Sequence, residues 1–416
     1  MSKNSDPSSG KNPTLSAASG SSVPSLEAIV GQRPKAETVH KSFHTSLRQS
    51  TGKPPVRKLS QLAVFSKGNA GDHLLPITLR DLFDMAGGQN EWHLRNVRPL
   101  FGPDDVTTIN RSAGTVIGGG GLFLRDTNEN LNSGWQWNCP IDLLQAIKVP
   151  MVVFAVGYNR FRDQPEFEPI FWEHLAVLAE KSTYIGLRNQ GSINAVKQYL
   201  PEKLREKVRF QPCMTTLVNR LYPHLTKRSV NLDKPVVSIN MAFDRAELRY
   251  GEKELEILHA VSRAMTVLSK VARIDLVLQG GDDGFIMPFM RHEKVPFNKV
   301  DLRKATPGEI VRYYSSVDLA LGMRGHAQMI PFGCGTPILS LITHDKMAWF
   351  LDDIGQPDWG IELKSNSLEN KLVEKCQELL DTRNQIMEQI HQIQEDLWAV
   401  SAKNVLDATA AFGSAK

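Results

Sequence analysis

The sequence predicts an α/β protein with two Rossmann-like domains facing a cleft, followed by a long C-terminal helix. From Leu62 onward, short β-branched runs alternate with helical patterns, as parallel sheets with crossover helices require. The strand signals fall into two series, at residues 62–66, 115–118, 151–157, 183–187 and 208–212, then 235–240, 274–279, 319–322, 337–342 and 359–363. Between the series, from Thr215 to Lys234, they lapse around Tyr222, Pro223 and His224.

These observations divide the chain into five parts. Residues 1–58 are dominated by Ser, Gly, Pro, Lys and Thr without apolar periodicity and read as a disordered arm. Residues 59–214 form the first α/β domain, 215–234 a linker and 235–366 the second domain. Residues 367–416 are the C-terminal helix, with Leu372, Cys376, Leu379, Ile386, Ile390, Ile393, Leu397 and Val400 spaced alternately three and four apart. Arg383 interrupts that seam, so packing across both domains is expected over a free coiled coil, with a homodimer as the other use of the helix.

Composition bounds the function. A chain of 416 residues, 41% hydrophobic and 23% charged, is long enough for two cores. Its longest apolar stretch, Met151 to Val156, falls far short of the ~20 residues of a membrane span. The opening residues lack the apolar stretch of a secretory signal, so a cytoplasmic protein is expected, with at most peripheral association at the inner face of a membrane. Cys139, Cys213, Cys334 and Cys376 stand far apart, which suits buried thiols better than a zinc site or disulfides. Residues 1–58 hold nine Lys/Arg against three Asp/Glu, so the net +4 leaves −2 for the rest and no basic face for nucleic acid.

The chemistry is expected after strands, where parallel sheets present residues to a cleft. Gly68, Asn69, Gly71 and Asp72 follow the first strand and lead into an amphipathic helix, which Asp72 is placed to cap. Gly118, Gly119, Gly120 and Gly121 end the strand predicted at 115–118, and so flexible a run implies backbone lying against a ligand or a neighbouring element. Arg188 follows the strand at 183–187, and its fork suits a carboxylate or phosphate. The strongest signal begins at Asp318, where a strand runs into Gly322, then Arg324, Gly325 and His326 open a helix, and Gly335-Thr336-Pro337 feed the next strand. A fixed cation, an imidazole and free helix N–H groups together suit an anion in proton-coupled chemistry. Gly280, Gly281, Asp282 and Asp283 read as a turn and helix cap. His344 and Asp345, adjacent in sequence, read as a substrate contact or solvated loop and not as a metal site.

Together these elements, with Lys346, resemble the polysaccharide pyruvyl transferase family over about residues 60 to 365. Two positions depart from the family pattern: Gly325 stands where Leu is common, and Asn189 where an acid is common. The resemblance implies a fold like that of two-domain glycosyltransferases of the GT-B type. It also implies transfer of pyruvate from phosphoenolpyruvate onto two hydroxyls of a saccharide acceptor, free, polymeric or lipid-linked, in exopolysaccharide or cell-surface glycan synthesis. In that scheme Arg188 and Arg324 hold the donor anion, His326 is the general acid and Lys346 adds charge. Gly68, Asn69, Gly71, Asp72, Gly119, Gly120, Gly121 and Gly325 line the site, and neither cofactor nor metal is called for. The alternatives are a nucleotide-sugar glycosyltransferase of the same architecture and a non-catalytic carbohydrate-binding relative.

Overall fold

The computed structural model describes residues 56–66, 68–226 and 234–413. Two six-stranded parallel sheets carry the fold. The first contains β1 (Arg57–Ala63), β2 (Asn90–Asn96), β3 (Gly114–Phe123), β4 (Met151–Tyr158), β5 (Ser182–Leu187) and β6 (Val208–Phe210), in the order β2-β1-β3-β4-β5-β6. The second contains β7 (Val236–Asn240), β8 (Arg273–Leu278), β9 (Phe297–Asp301), β10 (Leu319–Gly322), β11 (Ile338–Ile342) and β12 (Gly360–Glu362), in the order β12-β11-β10-β7-β8-β9. Two separate sheets, not one continuous sheet, bear out the predicted fold class.

The strands that the sequence reading missed are β2 and β9, both at sheet edges. Asn-Glu-Trp-His-Leu-Arg-Asn and Phe-Asn-Lys-Val-Asp are largely solvated, so neither shows the apolar run of a central strand. The first strand runs over 57–63, not 62–66, because its buried middle is polar. Ser60 meets the Ser112 hydroxyl at 2.6 Å, and Gln61 donates to the Pro76 carbonyl at 3.1 Å. Arg57 and Lys58, assigned by sequence to the arm, are thus part of β1, and the rest of the arm expectation, residues 1–55, lies outside the described residues. Within 215–234, residues Val218–Leu221 make a helical turn packed among buried residues, and 227–233 lie outside the description.

The helices that bear on the site are α1 (Ala70–Gly87), α2 (Pro169–Lys181), α3 (Gln190–Tyr199), α4 (His326–Gly333) and α5 (Asp345–Asp353). The C-terminal segment is two helices, α6 (Leu368–Asp381) and α7 (Arg383–Ala411), and not one. Arg383 opens the second and pairs with Asp318. At 29 residues α7 is about 43 Å long, enough to reach from one domain to the other. Its Gln394 donates to the Phe332 carbonyl at 2.7 Å in the second domain. Further along, the Asn404 carbonyl accepts from the Tyr184 hydroxyl at 2.9 Å and Asp407 pairs with Arg209 at 2.8 Å in the first domain. The helix therefore straps the two domains, and its apolar seam is buried in both except at Val400.

Candidate active site

Parallel sheets bind ligands beyond the carboxyl ends of their strands, where the strand order reverses. The first sheet reverses between β1 and β3, the second between β7 and β10, and the two reversals face each other across the interdomain cleft. Cleft residues follow strand after strand: Asn69 and Asp72 after β1, Arg98 after β2, Asn159 and Phe161 after β4, Arg188 after β5. From the second domain come Asp244 after β7, Gln279 after β8, Arg324 and His326 after β10, and His344 and Lys346 after β11.

On the first-domain side, Asn69 and not Asp72 caps α1, accepting from the Gly71 and Asp72 amides at 2.9 and 3.2 Å. Asn69 stands at the position just before the helix, from which a side chain reaches those amides, whereas Asp72 lies within the first turn and its carboxyl lines the cleft. Gly71 lies under the second domain: a Cβ there would stand 2.1 Å from His326 Nδ1. Gly68 is exposed and is not among the cleft residues. The glycine run does not end its strand but lies inside β3, where Gly119 and Gly120 take φ of 84° and 103° and the register with β4 shifts. Only glycine adopts that backbone readily, and Gly119, Gly120 and Gly121 line the cleft floor.

Arg188 is 4% exposed, and its contact is a 3.3 Å hydrogen bond from Nη2 to Asn159 Oδ1. Its Nε is buried without a partner, and among the described residues no carboxylate pairs with it. Asn189 caps α3 by accepting from the Ser192 amide at 2.7 Å, so the departure from an acid there keeps the cap.

Arg324 is differently placed. Its guanidinium already meets Asp283 from Nε at 2.8 Å, Asp282 from Nη2 at 2.6 Å and Asp244 from Nη1 at 2.8 Å. The Gly280–Asp283 turn therefore holds Arg324, and the expected helix cap is not made, since Asp282 gives the short helix at Asp283–Ile286 no side-chain cap; Gly280 leaves the space that the Arg324 Nη2 occupies. His326 opens α4, with Nε2 3.8 Å from the Cys213 thiol. Gly325 leaves open space beside Lys346, whose Cε would be 4.0 Å from an added Cβ. His344 is 1% exposed, not in a solvated loop, and stacks on Phe161 with centroids 4.2 Å apart.

The charges are unevenly met. Burial, then Arg188 and Lys346, bring the His326 pKa down to about 3, so the imidazole is neutral in the unliganded protein. Burial also pulls Lys346 far below its usual range, with Arg188 and Arg249 adding to it. Burial pushes Asp72 up, against the pull of Arg98 and Arg324. Arg324 moves the other way: burial lowers it, but Asp283, Asp244 and Asp282 outweigh burial and raise it. Among the described residues Arg188 and Lys346 thus line the cleft without a carboxylate partner, each pushed by burial toward its uncharged form, beside a neutral imidazole. Such a pair is arranged for a small, multiply charged anion.

The structure brings Arg188, Arg324, Gly325, His326, Lys346, Asn69, Asp72 and Gly119–Gly121 to one cleft, with Gly71 beneath it. Sequence reasoning missed Arg98, Asn159, Phe161, Asp244, Arg245 and Arg249. Arg98 stands two residues after an edge strand that was not recognised, and Arg245 crosses the cleft to Asp126 at 2.5 Å, a pairing no spacing reveals. Among the described residues, the grouping of metal-capable side chains at His259, His292 and Glu293 lies outside the cleft lining.

Residues 69–345 match the family described as polysaccharide pyruvyl transferase. Solved structures with a similar fold include a putative UDP-N-acetylglucosamine 2-epimerase from Listeria monocytogenes, at 10% identity and a TM-score of 0.54, covering 87% of this chain and 98% of that one. The UDP-GlcNAc 2-epimerase of Methanocaldococcus jannaschii is similar at 11% identity and a TM-score of 0.50, covering 79% and 94%. Comparison with curated protein sequences found no match.

Proposed function

The chain belongs to the polysaccharide pyruvyl transferase family, and from that premise we propose that it transfers the pyruvyl group of phosphoenolpyruvate to two hydroxyls of one sugar as a cyclic ketal. The observation that carries this reading is Arg188, buried and met by no carboxylate among the described residues, together with Lys346 beside His326. Phosphoenolpyruvate, with carboxylate and phosphate on one small carbon frame, supplies the charge those two cations lack.

A sugar hydroxyl attacks C2 of the donor while C3 takes a proton and becomes the methyl group. The second hydroxyl then bonds to C2 as the C2–O bond to phosphate breaks. Of the two hydroxyl protons, one replaces that taken up by C3 and the other leaves with phosphate. His326 enters this sequence neutral, which modifies its role as general acid. The donor anion, seated between Arg188 and Lys346, cancels the cations that depress the imidazole and raises its pKa toward the ionised form. Asp72, pushed upward by burial, is the second group able to carry a proton there. Arg324, tied to three carboxylates, positions the start of α4 and the Asp244 side of the cleft.

No helix among the described residues is long and apolar enough to cross a membrane, in keeping with an acceptor met at a membrane face or in solution. The test is calorimetry with phosphoenolpyruvate and with UDP-sugars, paired with phosphate release. Binding of phosphoenolpyruvate alone is expected; binding of a UDP-sugar without phosphoenolpyruvate would establish the glycosyltransferase alternative.

A further inference from the structure

Beyond the cleft, on the other side of the loop after β4, lies a second groove of comparable size, with about 940 Å³ of empty space open to solvent. Phe161 lines both spaces, so the groove and the cleft adjoin at that ring. Its walls come from both domains: Tyr158, Arg160 and Arg162 from the loop side, α3 with Asn194, Gln198 and Tyr199, and α5 with Asp345 and Trp349. Arg162 closes one edge by bonding Asp345 at 2.6 Å and Glu362 at 3.1 Å across the domain boundary.

Its chemistry differs from that of the cleft. Trp349 lies on the first turn of α3, where a Cβ on Gly191 would stand 1.9 Å from its Cδ2, so the glycine sets the indole in place. The Tyr199 hydroxyl bonds Glu166 and lies 3.0 Å from the Tyr158 hydroxyl, which fixes a second ring. Exposed Asn194 and Gln198, one helical turn apart, supply amide donors and acceptors along the wall. The charges cancel locally, Arg160 with Glu166 at 2.6 Å and Arg162 with Asp345. Fixed aromatic faces, amides and balanced charge suit an uncharged ring that is apolar on its face and polyhydroxylated at its edge, and do not suit a free phosphate or nucleotide.

We propose that this groove is a saccharide subsite, holding the sugar units next to the one that receives the pyruvyl group. The assignment rests on the reading that the acceptor is a saccharide. It makes the acceptor an oligomer, joined before the transfer, whose modified unit sits in the cleft while its neighbours lie along Phe161 toward Trp349.

The probes are β-linked gluco- and galacto-oligosaccharides and α-linked manno-oligosaccharides of increasing length, read by saturation-transfer NMR and tryptophan fluorescence. At least one series should bind the wild type, more tightly with each added unit. Trp349→Ala should weaken the longest member roughly tenfold, and Trp349→Phe should recover most of that loss. The double change Asn194→Ala with Gln198→Ala, on an exposed helix face, should lower the same affinity without altering the fold. All three variants should bind phosphoenolpyruvate as the wild type does. The proposal is overturned if no member of the panel binds, or if the Trp349→Ala and double variants bind every member as tightly as the wild type. Groove-dependent saccharide binding without phosphoenolpyruvate binding would sustain the subsite and overturn the donor assignment instead.

Discussion

Replacing Arg188 by methionine should move stability and donor affinity in opposite directions. The guanidinium is 4% exposed, its Nε has no partner and its one hydrogen bond, to Asn159, is 3.3 Å long. Gly157 lets it settle that deep, since a Cβ there would stand 2.2 Å from Arg188 Nε. A buried cation in this setting has lost hydration without gaining a counter-ion, and burial accordingly lowers its pKa. Exchange of buried charge for an apolar side chain of similar volume stabilises by about 1–4 kcal/mol, and methionine fills the space of the stem. In the donor complex the same change removes two charge-assisted hydrogen bonds, about 1.5–3 kcal/mol each, so affinity should fall by about a hundredfold or more. Urea unfolding of the unliganded protein gives the first quantity and calorimetry with phosphoenolpyruvate the second. Because Arg188 is one of the cations that depress His326, the imidazole should also titrate at higher pH in the variant. A variant less stable than the wild type that keeps donor affinity would refute the reasoning, since it would mean that Arg188 serves the fold and not a ligand.

Three further outcomes follow from the same geometry. Phosphoenolpyruvate binding should take up protons increasingly as pH falls from neutral, because the donor raises the imidazole from about 3 toward its ordinary value. Calorimetry in buffers of different ionisation enthalpy measures this uptake, and retention of all of it in His326→Gln would assign the proton to another group, with Asp72 the first candidate. Gly71→Ala should cut turnover at least about tenfold with the fold intact by circular dichroism, because its methyl carbon would displace an imidazole ring atom 2.1 Å away. Unchanged turnover would mean that His326 need not hold this position. Arg324→Ala should destabilise the second domain by about 3 kcal/mol, since Asp283, fully buried, loses its cation. Equal urea midpoints for that variant and the wild type would show that the three carboxylates do not depend on Arg324.

The gap between sequence and structure has a physical pattern. Central strands such as β4 and β7 were legible because both faces are buried and their residues are apolar, whereas β2 and β9 were not because an edge strand keeps its solvated side. The Gly119–Gly121 run announced a special backbone, but only the structure placed it inside β3 as a shift in register. The caps show the same limit. Both Asn69 and Asp72 can cap a helix, and the choice between them depends on where α1 begins.

The order of strands and helices, and the arrival of Arg188, Arg324, His326 and Lys346 each just after a strand, were fixed by local sequence. Residue type and strand position together determine which groups stand at the carboxyl edge of a parallel sheet. Charge state and partnership were decided by tertiary structure, because they depend on groups distant in sequence. Arg324 and Arg188 are the same residue type in the same kind of position. Asp244, Asp282 and Asp283 neutralise the first, whereas the second meets no carboxylate among the described residues and donates to the amide oxygen of Asn159. His326 reads in sequence as a titratable group near neutrality, and burial beside two cations makes it a neutral one. Short-range pattern sets where a side chain starts, but its electrostatic free energy is a sum over everything within several ångströms, and folding alone assembles that neighbourhood.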